Sequence, residues 1–423
     1  MSIKGEFMYS NGVTHLLIKA GTLVDGNGAQ PKKDMAVLVE GSTIVQIDHP
    51  ERVQIPDGAT LETCEFPDAT LLPGLVDCHT HTNMPGDGTS VDDVGLESYE
   101  IHILQGVKQA KLALESGVTT MRDNGGWHRS VFWLKEGIRR ELVAGPRILA
   151  SGRPITMTGG HCWMMGSVAD GVAEVRAAVR ELVWEGADFI KVMATGGSTI
   201  GSMSERPSYT LEELQAITDE AHRRGRLVGA HTIAQKGIEN ALDAGVNMLI
   251  HCTFVQSDGS IGYDPKVGER IAATDTWVNP TIHVRRGFVD LLEQKRAEEG
   301  LTIEEEADLL ESVKAVEDRV KVTSQLIKDG AKVIGGSDCG WHVYEFGMFH
   351  KELETLVMSG MSHGDALLAG TREAAKALGV SDIVGTLEVG KEADLLLING
   401  DPTENISHLQ NVVGVFKSGI RVR

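Results

Sequence analysis

The feature that most constrains this chain is an alternation that fills its middle. Short apolar runs of strand length are each followed by a stretch with helical periodicity. The runs are Thr70 to Cys78, Val118 to Arg122, Arg147 to Ser151, Asp188 to Met193, Leu227 to His231, Met248 to His251, Trp277 to Thr281 and Lys332 to Gly336. Amphipathic patterns lie between them, among them Gly171 to Glu185, Thr210 to Arg224 and Ile303 to Lys328. Thr210 with Glu213 reads as a capping box, in which each side chain satisfies a backbone donor that the helix start leaves free. Strands joined by crossover helices pair in parallel. About eight such units in succession predict an α/β fold, a closed (β/α)8 TIM barrel, over residues 70–379. An open doubly wound sheet is the competing topology, but the first turn lacks its glycine-rich phosphate loop.

The ends of the chain have a different texture. His15 to Ala20, Met35 to Glu40 and Thr43 to Asp48 are β-like runs punctuated by Gly26-Asn27-Gly28. Ala393 to Ile398 and Val412 to Phe416 repeat the pattern around Asn399-Gly400-Asp401-Pro402. A flanking β-sandwich domain assembled from residues 1–69 and 380–423 is expected. Charge narrows the partners: 60 acidic against 40 basic residues, a net charge of -20, repel phosphate backbones and anionic lipid. Neither nucleic acid nor membrane is an expected partner; a small-molecule amide and a second copy of the chain are. Cys64, Cys78, Cys162, Cys252 and Cys339 form no C-x-x-C pair, which argues against a disulfide scaffold and for a reducing compartment. Met1 to Tyr9 carries Lys4 and Glu6 and no apolar run of the secretory kind, so a cytoplasmic location is expected.

Polar residues recur where the predicted strands end, the rim at which barrel enzymes place their chemistry. Leu75-Val76-Asp77-Cys78 leads into His79-Thr80-His81, and alternate strand residues share a face, so both imidazoles can grip one cation. His231 and His251 close the fifth and sixth runs, and Asp338 follows the eighth in Gly335-Gly336-Ser337-Asp338. Lys191 sits in the apolar run Asp188 to Met193, where a charged amine is costly to bury. Desolvation favours its neutral amine, which can take up CO₂ to form a carbamate able to bridge two metal ions. Taken singly, each residue has an ordinary reading, as a rim histidine, a turn aspartate or a snorkelling lysine. Together, on the ends of different strands, they argue against coincidence.

Leu72-Pro73-Gly74-Leu75-Val76-Asp77-x-His79-x-His81, Ile190-Lys191-Val192-Met193-Ala194-Thr195-Gly196-Gly197, Ala230-His231, His251 and Gly336-Ser337-Asp338 resemble the amidohydrolase superfamily. Thr158-Gly159-Gly160-His161 and the stretch Gly385 to Leu395 are similar to its imidazolonepropionase-related branch, which includes Xaa-Pro dipeptidases (prolidases). The resemblance covers nearly the whole chain. It implies that His79 and His81, with Asp338, bind the more buried of two divalent ions, most readily zinc. It also implies that His231 and His251 bind the more exposed ion, and that Lys191, carboxylated on its side-chain nitrogen, bridges the pair. Two departures stand out. Peptidases of this branch carry Tyr or His where this chain has Ile233, and Glu-His-Gly where it has Ile250-His251-Cys252.

On that pattern, two cations sharing one water make it a hydroxide, which attacks the carbonyl of an amide while Asp338 shuttles the proton. His161 is the candidate for meeting the oxyanion in the absence of a tyrosine at 233. His283 or Arg285 is the candidate anchor for a substrate carboxylate, the competing reading being that the arginines pair with acids on the following helix. Trp163, Met164 and Met165 either line an apolar pocket or pack the loop after His161. Cys78 and Cys252, each beside a proposed ligand, are expected to face outward from their strands. A dipeptide or N-acyl amino acid is the expected substrate. A urea, carbamate or anilide is the alternative, and a deaminase or a non-catalytic scaffold stands further off.

Overall fold

A computed structural model describes residues 14–423; the Met1 to Tyr9 stretch and the first part of the expected terminal domain lie outside the described residues. Strands and helices alternate through the middle of the chain, and the strands there pair in parallel. A 3-stranded sheet holds Leu75–Thr80, Val118–Asp123 and Arg147–Ala150. A 7-stranded sheet runs, in spatial order, Lys332–Val333, Trp277–Asn279, Met248–Val255, Leu227–Ala234, Phe189–Met193, Ile155–Thr156 and Ser167–Val168. Backbone hydrogen bonds link the two sheets at both margins. Asp338 donates to His79 (2.7 Å) and Cys78 to Gly335 (3.3 Å) on one side, and Asp188 donates to Ala150 (2.9 Å) on the other.

Alternation sorts the strand residues. Ile190, Val192, Ala230, Leu249 and Val278 join one apolar cluster with Val179, Leu182, Leu214 and Ile217 of the covering helices. Their neighbours Lys191 and His231 therefore face the opposite side. The helix Leu211–Arg223 starts at the expected box: Glu213 N donates to Thr210 Oγ1 at 3.3 Å, and Thr210 N donates to Glu213 Oε2 at 2.8 Å. Its Ile217 is fully buried, so truncation to alanine should cost about 2–5 kcal/mol.

The expected run Thr70 to Cys78 is two strands. Leu61–Pro73 belongs to a different sheet, and Leu75–Thr80 starts afresh after Gly74. A Cβ at Gly74 would lie 2.2 Å from Thr119 Oγ1, so only glycine lets the chain pass from one sheet to the next here. That other sheet, also 7-stranded, uses both chain ends, in the order Ile420–Arg421, Val412–Lys417, Leu395–Asn399, Leu61–Pro73, His15–Leu23, Lys32–Glu40 and Thr43–Asp48. Leu61–Pro73 joins its halves, pairing parallel with His15–Leu23 and antiparallel with Leu395–Asn399. Ile18, Val37 and Val39 of one half share a core with Leu395, Leu397 and Phe416 of the other. Leu396 and Ile398, on the opposite face, pack into the main cluster. No helix among the described residues is long and apolar enough to cross a membrane.

Candidate active site

At the carboxyl end of Leu75–Thr80, His79 and His81 are buried and meet Asp338 from the far margin. Their Nε2 atoms stand 3.1 Å apart, and Asp338 Oδ1 lies 3.3 Å from one and 3.4 Å from the other. His81 donates from Nδ1 to the carbonyl of Gly125 at 2.8 Å, and His79 Nδ1 faces Asn279 Oδ1 at 3.3 Å. With both Nδ1 protons so committed, each Nε2 presents a lone pair. Two lone pairs and a carboxylate oxygen converging on one point repel unless a cation sits among them, and second-sphere bonds of this kind aim metal-binding imidazoles. Asp77 holds the two margins in register, accepting from Ser337 Oγ at 2.6 Å and Ser337 N at 2.9 Å.

His231 and His251 form a second group beside the first, with ring centroids 4.6 Å apart and His251 5.7 Å from His79. His231 donates from Nε2 to Gly196 O at 3.1 Å, which leaves its Nδ1 as the acceptor. His251 reaches this position by breaking the alternation of its strand. Ile250 shares register with His231, and Leu249 with the outward-packed Ala230, so strict parity would turn residue 251 outward. A left-handed backbone at His251 (φ 67) turns it back, and Thr281 (φ 47) holds its Nδ1 through Oγ1 at 2.6 Å. Asp338 is left-handed too (φ 61). Strain of this kind collects at functional sites.

Lys191 is 1% exposed, and among the described residues it has no carboxylate at ion-pair distance. Burial pushes its ammonium down to about 7; Asp338 pulls the other way and Arg122 adds to the fall. Burial, with the Lys191 charge among the further causes, also holds His79 and His231 well below the ordinary imidazole range, the neutral form that ligates metals. At Asp338, burial raises the carboxyl, but the neighbouring imidazoles His81 and His251 and the amine of Lys191 outweigh it and hold it below its ordinary value.

These side chains line one cavity of about 420 Å³, within the range of small-molecule sites. His161 lines it as well, its ring 4.5 Å from that of His231, and Ile233 adds an apolar wall. Gly197 makes room for His161, since a Cβ there would lie 2.7 Å from the ring. Arg285 lines the cavity, whereas His283 does not: its ring packs on Tyr344 at 4.6 Å, because the helix starting at His283 turns it away. Arg286 pairs with Asp290 along that helix at 2.7 Å, so the competing reading holds for one arginine and not the other. Trp163 is half exposed, while Met164 and Met165 pack with Met84 and Trp127, so this loop packs rather than lining the site. Cys78 packs against Ala374 and Cys252 lies in the main cluster, both facing away from the cavity as expected. Arg319, Trp341 and His342 line the cavity and were not anticipated. The signal for Arg319 was present: the helix Ile303–Lys328 is rich in acids, yet Ala315, Val316, Val322 and Thr323 flank it at helical spacing.

The amidohydrolase family model matches residues 70–422. The chain belongs to the amidohydrolase family. Ochratoxinase of Aspergillus niger is 29% identical over 443 residues, spanning 95% of this chain and 85% of that protein. Imidazolonepropionase of Rhizobium rhizogenes is 23% identical, spanning 88% of each. Among solved structures, a Xaa-Pro dipeptidase with methionine bound in its active site superposes with a TM-score of 0.83 at 28% identity, covering 97% of this chain and all of that one. This amidohydrolase is therefore a hydrolase of amide C–N bonds with prolidase-like relatives, as the motifs implied.

Proposed function

We propose that this amidohydrolase is a binuclear metal-dependent enzyme that cleaves the C–N bond of a dipeptide, Xaa-Pro-like, or of an N-acyl amino acid. In this reading eight strands of the two parallel sheets, all but the short Ile155–Thr156 and Ser167–Val168, close into a barrel flanked by a sandwich domain from both chain ends. The observation that carries it is the convergence of His79, His81, Lys191, His231, His251 and Asp338 on one cavity. His79, His81 and Asp338 would hold one divalent cation and His231 and His251 the other, with Lys191 between them as its carbamate. Zinc suits this set of imidazole and oxygen donors. When bound, the pair supplies an acidified water and a Lewis acid for the scissile carbonyl.

The chain's own groups do the rest. Asp338 takes the proton of the attacking water at its carboxylate and returns it to the leaving nitrogen. His161 donates to the carbonyl oxygen. Thr199 Oγ1 accepts from Cys162 N at 3.0 Å, so its hydroxyl proton is free for His161 Nδ1 at 2.8 Å, and the proton of the ring then resides on Nε2. Ile233 and Val284 add apolar wall to the cavity. The dipeptidase that holds methionine supports an occupant the size of an amino acid.

The test is a screen of the metal-loaded protein against N-acetyl amino acids, Xaa-Pro dipeptides, phenylureas and carbamates, following release of free amine. Amino acid release from either of the first two classes, abolished by chelator, is expected. Turnover confined to ureas or carbamates, or untouched by chelator, would overturn the reading.

A further inference from the structure

We propose that Arg319, together with Arg285, binds a free carboxylate of the substrate, so that this enzyme selects amides whose leaving nitrogen belongs to an amino acid. The inference rests on the hydrolytic reading above and adds the residue that sets its substrate class.

Both arginines line the cavity that holds Asp338 and His251. They come from different helices, Arg285 from the first turn of His283–Glu298 and Arg319 from the long helix Ile303–Lys328. Arginines on helices ordinarily find a carboxylate three or four residues away. Arg286 does so with Asp290, and Arg223 with Asp219. Arg319 has Ala315, Val316, Val322 and Thr323 at those positions, and Arg285 has Thr281, Ile282, Phe288 and Val289. Among the described residues neither makes an ion pair, and the Arg319 Nε is buried with no hydrogen-bond partner. Glu311 stands on the same wall but is exposed and pairs with neither.

An unpaired guanidinium in a half-buried wall is costly, and a second cation beside it adds to the cost. The effect is visible on the group itself: burial and then Arg285 push Arg319 down to about 10, with Asp338 and Glu352 pulling back. An anion entering the cavity removes that cost, and the planar fork of arginine matches a carboxylate in two parallel bonds. The ligand is then an amide bearing a carboxylate near its nitrogen, as in a dipeptide or an N-acyl amino acid. A phenylurea, carbamate or anilide lacking an acid leaves the pair unmet.

The test compares N-acetyl-L-methionine with N-acetyl-L-methioninamide, which share the scissile bond and differ only in the carboxylate. The metal-loaded enzyme is expected to prefer the acid in kcat/KM on the order of 100-fold, and Arg319→Ala to lose most of that preference by slowing the acid while sparing the amide. Arg319→Lys, which keeps the charge without the fork, should fall between. Added guanidinium should restore acid turnover to Arg319→Ala. If the alanine variant fails to fold, the lysine variant carries the same comparison. An unchanged acid-to-amide ratio in a folded, metal-loaded Arg319 variant would overturn the proposal, as would equal loss on both substrates. Those outcomes leave amide hydrolysis standing; absence of turnover on every amide would instead defeat the hydrolytic reading.

Discussion

Two clusters of charge in this molecule are built on opposite rules. Where the parallel strands meet the terminal sheet, Arg147 and Lys417 face Glu392 and Asp394. Arg147 holds Asp394 at 3.0 Å and also bonds Glu392, Lys417 reaches Asp394 at 3.1 Å, and Ser418 donates from N to Asp394 and from Oγ to Glu392. Two cations meet two anions, and the set is complete. The cavity gathers Lys191, Arg285 and Arg319 around the buried carboxylate of Asp338, beside imidazoles whose lone pairs converge. A complete network serves the fold, because nothing further is needed to satisfy it. An incomplete one is sustained by the surrounding packing and is satisfied only by groups that arrive from outside.

Substitutions at the two clusters should separate activity from stability. Asp338→Asn should lower kcat about 100- to 10,000-fold while sparing metal content more than turnover, read by steady-state rates beside elemental analysis. Substantial activity at full metal content would remove Asp338 from proton transfer. Asp394→Ala should do the reverse. It leaves Arg147 and Lys417 without their buried partner and should cost about 3–5 kcal/mol in denaturant unfolding, with kcat of the folded fraction unchanged. A large kinetic effect there would erase the distinction between the clusters.

Glu352 sharpens the contrast by a third arrangement, a fully buried carboxyl met by backbone. It accepts from His283 N at 2.7 Å and Ile282 N at 3.1 Å, yet burial outweighs these bonds and pushes it up to about 8 from 4.5. The folded chain then binds a proton that the unfolded chain releases. This contribution is full below the unfolded value and is lost as pH climbs towards 8. Thermal midpoints of wild type should therefore fall relative to those of Glu352→Gln between about pH 5 and 8. Parallel curves would show that Glu352 is ionised in the fold. The smallest effect belongs to Arg286→Ala. Its partner Asp290 lies on the same exposed helix face, so stability should change by less than about 1 kcal/mol and the acid-to-amide ratio not at all.

The parts of this molecule legible in its sequence are those governed by local periodicity. Alternation set the parallel strands and the outward course of Cys78, and the Thr210 box marked its helix start to the residue. The break at Gly74 was hidden because apolar runs continue unbroken across it, and only the contact with Thr119 forces the chain to change sheets. His251 is the instructive ligand. Its strand position was readable, but its direction depends on a left-handed backbone that alternation cannot express. Arg285 and His283 were inseparable in sequence because their directions depend on where one helix begins. Arg319 stayed hidden for a related reason: a helix far along the chain carries it to the cavity, and its mark was an absence of nearby acids rather than a motif.

The account turns on Lys191, whose buried amine lines the same cavity as both groups of imidazoles. The most direct measurement is the metal-to-chain ratio of the protein purified with zinc and bicarbonate, set beside that of Lys191→Ala. About two ions per wild-type chain are expected, with the variant losing at least one of them and its turnover. A wild-type protein active without bound metal, or a Lys191→Ala protein that keeps both ions and full activity, would contradict it.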